Sequence, residues 1–417
     1  MKPSVISLFT GAGGLDLGLE AAGFEFVVGV ERDGAAVETL RINRPAWKVL
    51  HNDLHDLGVR GLLRAAGARR GDVDLVAGGP PCQPFSKSGY WHAGDAKRLA
   101  DPRAATLDAF LAVVDAARPR AFLLENVPGI AFSEKSEGLR HIHEFLGRMK
   151  GASYSVTAMK LNAVDFGVPQ MRERVFVVGC RGSCGFRAPV PTHRRPVRQN
   201  RSGPTRRDID AETDALKPTM TAWEAIGRLK DDADPQLKPR GFWAELLPTI
   251  PEGQNYLFHT ERGSGQHIFG WRRRYWSMLL KLAKDLPSWT ITASPGPAIG
   301  PFHWNNRRLS ARELCRLQTF PLNFKVSGDA AAFHRQLGNA VPAAMAEILG
   351  LEIRRQIFGD DSVSQSDVSL LPRRVRCIPA PSPPSPFIHR KYRELIGLQT
   401  DHPGTGKGPG ARARAEL

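Results

Sequence analysis

The sequence predicts an α/β protein with a doubly wound, mostly parallel sheet and a smaller, irregular second domain. Through the first 180 residues, apolar runs alternate with helical stretches such as Leu15 to Ala22 and Leu107 to Ala116. Such alternation indicates a parallel sheet with helices on both faces. The predicted strands are Val5–Phe9, Phe26–Val30, Val73–Ala77, Ala121–Leu124 and Val175–Val178.

The pattern changes in the middle of the chain. Residues 181–207 contain eight arginines and no acidic residue, which predicts a basic linker. Residues 208–306 have weak periodicity, whereas helical periodicity returns at Ser310–Leu317 and Ala340–Ile357. We therefore expect a first domain over 1–185, a small domain over 186–330, a helix returning to the first domain over 331–358, and a disordered, Pro-rich basic tail over 359–417.

Charge and composition limit the class of protein. The 417 residues carry a net charge of +16, which favours a polyanionic partner such as nucleic acid, although a solvated basic surface would give the same value. No apolar run is long enough for a membrane span, and the start of the chain has no signal-peptide pattern. Of the five cysteines, Cys180 and Cys184 lack a second pair at zinc spacing, so we expect a reduced, cytoplasmic protein without structural metal.

A glycine-rich turn from Phe9 to Gly14 follows the first predicted strand and opens a helix. Such a turn lets a ligand approach the backbone, or it simply connects two elements tightly. Asp16 in the first helical turn would repel a pyrophosphate but not a cationic sulfonium. Glu31 ends the second strand and can accept from ribose hydroxyls, and Asp53 follows a third strand and can accept from an adenine amino group. Together these residues favour S-adenosyl-L-methionine over a nicotinamide cofactor.

Cys82 lies in a stiff turn, Gly78-Gly79-Pro80-Pro81-Cys82-Gln83-Pro84-Phe85-Ser86, directly after a predicted strand. The turn would hold the thiol at the carboxyl edge of the sheet, where a thiolate can act as a nucleophile. A buried, inert cysteine is the alternative, but this turn is too polar and kinked to favour it.

These segments resemble an ordered motif set of the bacterial cytosine-5 DNA methyltransferases, of the restriction-modification type. The resemblance spans about residues 4 to 350 and is most specific at the Cys82 turn and at Gly338 to Pro342. One departure is Ser7, where many members have Asp. The matching segments are Phe9–Gly14, Gly78–Ser86, Glu125–Val127, Gln170–Arg174, Arg312–Pro321 and Gln336–Pro342.

The resemblance implies a Rossmann-like catalytic domain, a target-recognition small domain and a covalent mechanism on a flipped cytosine. Cys82 would add to carbon 6, and Glu125, with Asn126 in the same motif, would donate to N3. Arg174 would hold the cytosine O2, and Arg172 would support the Cys82 turn. Otherwise Glu125 is a strand-end cap or salt-bridge partner, and the arginines form a surface pair.

Further contacts are expected on the same basis. Residues 82–106 predict a mobile loop over the flipped base. The patches Arg272–Trp276 and His303–Arg308 interleave cations with aromatics, which indicates either nucleic-acid contact or small-domain core. The expected cofactor contacts are Phe9, Gly11, Gly13, Gly14, Leu15, Glu31, Asp53, Pro80, Asn339 and Val341. The expected DNA contacts are Gln83, Ser86, Ser88, Arg103, Arg272, Arg273 and Arg274.

Three functions remain open on the sequence. The first is methylation of a specific double-stranded DNA sequence by a monomer, paired with a cognate restriction endonuclease. The second is an RNA methyltransferase of the transfer-RNA type, although the characteristic Cys-Phe-Thr segment is absent and the region between Arg174 and Arg312 is long. The third is a catalytically silent DNA-binding protein, which Cys82, Glu125 and the two arginines argue against.

Overall fold

The computed structural model describes most of the chain. The described residues are 2–81, 105–130, 137–151, 153–196, 215–230, 234–270, 276–375 and 377–398. The predicted nucleophile lies outside them, as do the predicted DNA contacts; these are Cys82, Gln83, Ser86, Ser88, Arg103, Arg272, Arg273 and Arg274.

The main sheet has seven strands, and its architecture confirms the predicted α/β class. The strand order is β3-β2-β1-β4-β5-β8-β6. β1 to β5 run parallel, and β8 is antiparallel to both of its neighbours. The strands are β1 Ser4–Leu8, β2 Glu25–Glu31, β3 Val49–His51, β4 Leu75–Gly78, β5 Ala121–Asn126, β6 Tyr154–Asn162 and β8 Glu173–Arg181; β7 Gln170–Met171 pairs with β9 Ser288–Trp289 apart from this sheet.

Helices cover both faces of the sheet. Ile6 and Leu8 of β1 pack on one face, whereas Val5 packs on the other, so the strand presents apolar side chains to both faces. The first face meets α3, α4 and α5, and the second meets α1 and α9. The helices are α1 Gly14–Ala21, α2 Gly34–Asn43, α3 Leu54–Ala66, α4 Ala105–Ala117, α5 Glu137–Gly147, α6 Ala222–Ile226, α7 Ala311–Leu317, α8 Ala330–Asn339, α9 Ala343–Phe358 and α10 Arg390–Arg393.

The contact between α1 and α9 joins a helix near the start of the chain to one that follows the irregular region. Gly18 makes close packing possible, because a β-carbon there would lie only 2.3 Å from the carbonyl oxygen of Ala343. Gly350 faces Ala22 in the same way, at 2.7 Å. The periodicity predicted one helix from Ala340, but α9 begins after Pro342, which ends the preceding helical stretch at Asn339.

The strand order reverses between β1 and β4. From β1 the chain proceeds outward to β2 and β3, and from β4 it proceeds in the opposite direction to β5. In such sheets a crevice opens at the carboxyl ends of the strands, at the point of reversal. The fold therefore places a ligand crevice beside the ends of β1 and β4.

Residues 215–306 contain little regular structure in their described parts. Short 3₁₀ helices at Ala244–Thr249 and Tyr256–His259 surround a core that includes Phe302. The leucines between Trp276 and Leu282 have a spacing that suits a helix, but the segment is not helical. The segment forms isolated bridges to Ile299 and Phe302, and its leucines are buried in an extended chain.

The disorder predicted after Gly359 is wrong for the part that the structure describes. Residues 377–398, which we call the C-terminal strap, pack on the irregular region. Tyr392 is fully buried there, and its hydroxyl donates to the carbonyl of Phe242 at 2.6 Å. The amide of Ser385 donates to the carbonyl of Pro248. Proline-rich composition misled the prediction because one aromatic anchor and backbone hydrogen bonds suffice to order this segment.

Two smaller findings concern cysteines and membranes. Cys180 and Cys184 lie close together, and the expectation that they are reduced stays a prediction. The turn after β8 brings their Cα atoms to 6.1 Å, within the usual bridging range. Among the described residues, no helix combines the length and apolarity that crossing a bilayer requires.

We expect Tyr392→Ala to destabilise the irregular region by about 3 to 5 kcal/mol, because it removes a fully buried aromatic ring. Tyr392→Phe should cost only about 1 kcal/mol, since it keeps the ring and loses one hydrogen bond. Thermal unfolding with limited proteolysis would measure both. Equal stability of Tyr392→Ala and the wild type would contradict a structural role for the strap.

Candidate active site

A cavity of about 370 Å³ opens where the strand order reverses. Its volume lies within the range of small-molecule sites. The wall is built from the carboxyl ends of the five parallel strands, together with the end of α8 and the segment after it. It includes the predicted residues Phe9, Gly11, Gly14, Leu15, Glu31, Asp53, Pro80, Glu125, Arg174, Asn339 and Val341.

The glycine-rich turn is held in place by Glu31. The backbone N–H of Gly11 donates to Oε2 of Glu31 at 2.8 Å, and that of Asp33 donates to Oε1 at 2.8 Å. Phe9, Gly11 and Gly13 all have positive φ. A positive φ is unfavourable for Phe9, so this turn stores strain of the kind found at ligand sites.

Gly14 explains why the start of the chain and the segment near residue 340 act together. A β-carbon on Gly14 would lie 2.2 Å from the carbonyl oxygen of Val341, so no larger residue fits. Gly13, which precedes it, caps α1 in the left-handed conformation and is not itself part of the cavity wall.

Asp53 has a local structural task at the edge of the cavity. It is the N-cap of α3, and its Oδ1 accepts from the backbone N–H of His55 at 2.9 Å. Its Oδ2 lies 3.5 Å from the guanidinium of Arg32. The cap fixes the carboxylate at the end of β3, where it remains partly exposed to the cavity.

Glu125 and Arg174 form an ion pair in the cavity wall. Nε of Arg174 lies 3.0 Å from Oε1 of Glu125, and the carboxylate is almost fully buried at the end of β5. Burial raises the pKa of Glu125, while Arg174 and then Arg172 oppose that shift. The arrangement can supply a protonated or partly protonated acid beside a fixed cation.

Asn126 connects Glu125 to the turn before Cys82. Its Nδ2 donates to the carbonyl of Pro80 at 3.1 Å, and its Oδ1 accepts from the N–H of Val127. Gly79 leaves room for the acid, since a β-carbon there would lie 3.0 Å from Oε2 of Glu125. The acid and the entry to the Cys82 turn are therefore neighbours.

Arg172 and Gln318 bring three of the sequence motifs together. Nη2 of Arg172 donates to the carbonyl of Gly338 at 2.8 Å. The side chain of Gln318 donates to the carbonyl of Leu337 and accepts from the amide of Gln170 at 3.0 Å. The role of Gln318 could not be read from the sequence, because its partners Leu337 and Gln170 are far apart along the chain.

Sequence analysis also missed the contact that fixes α8 to α2. Arg335 pairs with Asp33 at 2.9 Å, and both residues line the cavity. Gln336 accepts from the hydroxyl of Thr39 at 2.7 Å. Gln336 belongs to a recognised motif, but nothing in the sequence identified its partner.

The patch from His303 to Arg308 is structural. His303, Trp304 and Arg307 are almost fully buried, and Arg307 pairs with the buried Glu313 at 2.7 Å. Arg308 donates to backbone carbonyls of Gly296 and Pro297. The interpretation of this patch as a nucleic-acid contact is therefore wrong, because its charges neutralise groups inside the fold. Among the described residues, no cluster of potential metal ligands occurs.

Comparison with known proteins agrees with this arrangement. A family model described as C-5 cytosine-specific DNA methylase matches residues 3–355. The Type II methyltransferase M.SacI of Streptomyces achromogenes is 38% identical over 380 residues, covering 86% of this chain and 94% of that protein. M.AquIA of Picosynechococcus is 40% identical over 244 residues, covering 56% and 92%.

Solved structures support the fold. The structure of the Entamoeba histolytica methyltransferase EhMeth aligns with a TM-score of 0.56 over 86% of this chain and 99% of that one. Spodoptera frugiperda DNMT2 aligns with a TM-score of 0.55 over 85% and 99%. At 16% identity for each, these two likenesses concern the fold alone.

We expect Glu125→Gln to alter how stability depends on pH. The pKa of Glu125 is higher in the folded protein than its ordinary value of 4.5 in the unfolded chain. The carboxyl therefore contributes stability below pH 4.5, and this contribution is lost as pH rises through the folded pKa. The stability of the variant relative to the wild type should therefore be greater at about pH 7 than at about pH 4. The attraction of Arg174 for the ionised carboxylate is already part of the folded pKa, so it does not reverse the sign of this difference.

Denaturant unfolding at both pH values measures this difference. Glu144→Gln serves as the control, since Glu144 is exposed on α5. A Glu125→Gln curve that stays parallel to the wild type across the range would contradict the raised pKa.

Proposed function

Because this chain belongs to the C-5 cytosine-specific DNA methylase family and is a DNA cytosine-5 methyltransferase, we propose that Cys82, Glu125 and Arg174 form its catalytic centre. The observation that carries this proposal is the position of Glu125. It pairs with Arg174 and adjoins Gly79, three residues before Cys82, within the same cavity as Glu31 and Asp53.

The family uses S-adenosyl-L-methionine, and we propose that the cofactor lies across the strand ends in this cavity. Asp53 would receive the adenine amino group, and Glu31 would receive the ribose hydroxyls. Each Glu31 oxygen accepts one backbone N–H and retains a lone pair for a further donor. Four of the seven charged residues that line the cavity are carboxylates, and such acceptors suit a cationic sulfonium, so the residues present fit the cofactor. When bound, it supplies the methyl group.

The chain's own residues activate the cytosine. The thiolate of Cys82 forms a bond to carbon 6, which makes carbon 5 electron-rich. Glu125 donates a proton or hydrogen bond to N3, where negative charge would otherwise develop. Arg174 donates to the cytosine O2 and keeps the acid in position. After methylation, a water accepts the carbon 5 proton and the Cys82–carbon bond breaks, which returns the thiolate, while the proton at N3 returns to Glu125.

Asn126 and Arg172 act as positioning residues in this scheme. Asn126 holds the carbonyl of Pro80, so it would fix the direction in which the Cys82 turn leaves the sheet. Arg172 donates to Gly338 and is almost fully buried, so it would fasten the cofactor segment near Asn339 to the catalytic strand.

The substrate is double-stranded DNA, and we propose that a monomer of this chain flips the target base out of the helix. Its net charge of +16 supports binding to phosphates. The proposed DNA contacts remain those of the Cys82 turn and the Arg272 patch. We further propose that the methylation protects DNA from a cognate restriction endonuclease, as expected for a relative of Type II methyltransferases.

We expect Glu31→Ala and Asp53→Ala to weaken cofactor binding more than DNA binding. Each change removes acceptors from a polar ligand, which is worth roughly 1 to 3 kcal/mol when a partner is left unpaired. Asp53→Asn is the matched control, because Asn also caps α3 but offers a different acceptor pattern to the ligand. Titration calorimetry measures the affinity, and unchanged binding in both alanine variants would refute the assigned pocket.

The covalent step can be trapped with 5-fluorocytosine at the target position. Cys82 still adds to carbon 6 and the methyl still arrives, but fluorine cannot leave carbon 5 as a cation. A protein–DNA adduct that survives denaturation should accumulate, and it should require S-adenosyl-L-methionine and the correct site. Glu125→Gln should slow it by ~100- to 10,000-fold, the usual worth of a general acid.

Mass spectrometry of the DNA-linked peptide identifies the attacking residue. Cys82→Ser should form no adduct and still bind DNA, since a hydroxyl is a much weaker nucleophile than a thiolate. An adduct that maps to Cys180, Cys184, Cys315 or Cys377, or an active enzyme that forms none, would show the proposed mechanism to be wrong.

A further inference from the structure

Asp16 is a buried carboxylate to which the catalytic scheme gives no task. It lies in the first turn of α1 and is only 1% exposed. Within the described part of the chain, neither of its oxygens accepts a hydrogen bond of regular geometry, and the nearby hydroxyl of Ser7 is also unpaired. Burying such a group is costly, so a partner is expected.

The surroundings of Asp16 are acidic rather than basic. Burial raises its pKa to about 7; the Ser7 hydroxyl and its own backbone N–H oppose the shift, and the charges of Glu31 and Glu20 add to it. The neighbour that α2 contributes is apolar: the side chain of Leu40 and Oδ2 of Asp16 both lie within 4 Å of the position that a β-carbon on Gly13 would occupy. Among the described residues, the charges that contribute most to this shift are both acidic, so the site has negative potential.

Asp16 is located directly behind the cavity wall. Its chain neighbours Gly14 and Leu15 line the cavity, as do Ser7 and Glu31. Its Oδ2 lies 3.9 Å from the position that a β-carbon on Gly13 would occupy. A ligand group that reaches past the glycine turn would come close to this carboxylate.

The order of strands indicates which part of the cofactor reaches this point. Asp53 follows β3 and Glu31 ends β2, so adenine and ribose would lie over these two strands. Glu125 ends β5, and the reacting methyl must face it across β4. The α-amino acid end then lies over β1, between the ribose and the Cys82 turn, beside Ser7 and α1.

We propose that Asp16 is the counter-charge for the α-ammonium group of the cofactor, directly or through one water. This inference rests on the proposed cofactor site. The negative charge beside the ammonium would come from Asp16 in α1, because Ser7, near the end of β1, is uncharged. A buried carboxylate and an ammonium group form a charge-assisted contact that neither makes alone.

Cofactor binding is then coupled to a proton. Near pH 7 the empty site holds Asp16 partly as the neutral acid, because its pKa is about 7. The arriving ammonium favours the carboxylate, so the acid proton leaves to solvent as the ion pair forms. Wild-type protein should release about half a proton per cofactor bound at this pH.

Binding affinities separate the ammonium from the rest of the ligand. S-adenosylhomocysteine keeps the ammonium and lacks the sulfonium; its deaminated analogue and methylthioadenosine lack the ammonium. Asp16→Asn should weaken S-adenosylhomocysteine roughly tenfold or more, as expected for a charge that loses its partner, and change the other two less than about twofold. Asp56→Asn, at an exposed aspartate in the first turn of α3, is the matched control and should change none.

Calorimetry in buffers of different ionisation enthalpy counts the protons. Wild-type protein should release protons with S-adenosylhomocysteine and not with methylthioadenosine, and this readout does not depend on any variant folding. Asp16→Asn should release none.

The outcomes are distinct. Equal weakening of all three ligands by Asp16→Asn, or proton release unaffected by that change, would overturn the assignment to the ammonium. If the wild type and Asp16→Asn bind S-adenosylhomocysteine equally well, Asp16 is only a buried neutral acid. This inference then fails, whereas the proposed cofactor site stands. Failure of the wild type to bind any of these ligands would instead refute the proposed cofactor site, and this inference with it.

Discussion

The packing of α9 against α1 is the contact on which the site depends. Because Gly18 has no side chain, the backbone of α1 packs directly against the backbone of α9 at Ala343. Gly14 allows the same close contact with Val341, in the segment that leads into α9. The cofactor turn and the segment around Val341 thereby form one wall, although they lie at opposite ends of the catalytic sequence. Gln318 extends this wall, because it binds Leu337 and the start of α9 through side-chain and backbone groups.

The site also separates two kinds of charge within one molecule. The chain as a whole is strongly basic, which suits a DNA backbone, yet four of the seven charged residues that line the crevice at the strand ends are carboxylates. Three of these carboxylates lie beside an arginine of the same wall, whereas Glu31 accepts only backbone N–H groups. Glu125 belongs to both systems: it is an acid in the crevice, and Arg174 compensates it from the neighbouring strand.

The sequence predicts well what local periodicity controls. Strands β1, β2, β4 and β5 were located within about two residues, because strands covered on both faces are rich in consecutive apolar residues. Prediction failed where long-range pairing decides the structure. Leu279 to Leu282 have helical spacing but bridge to Phe302, and Arg307 looks like a phosphate ligand but neutralises Glu313. Nothing local in the sequence reveals those partners.

The C-terminal strap makes the small domain a composite of two separated stretches of chain. After α9 the polypeptide passes Glu347 and Glu224, then crosses to the 3₁₀ helix at Ala244–Thr249, where Ser385 and Tyr392 bind. An exchange of the irregular region between relatives therefore has to carry both stretches. A graft limited to residues 186–330 would leave the strap against a surface to which it is not fitted. In this chain, the irregular region and the strap form one discontinuous structural unit.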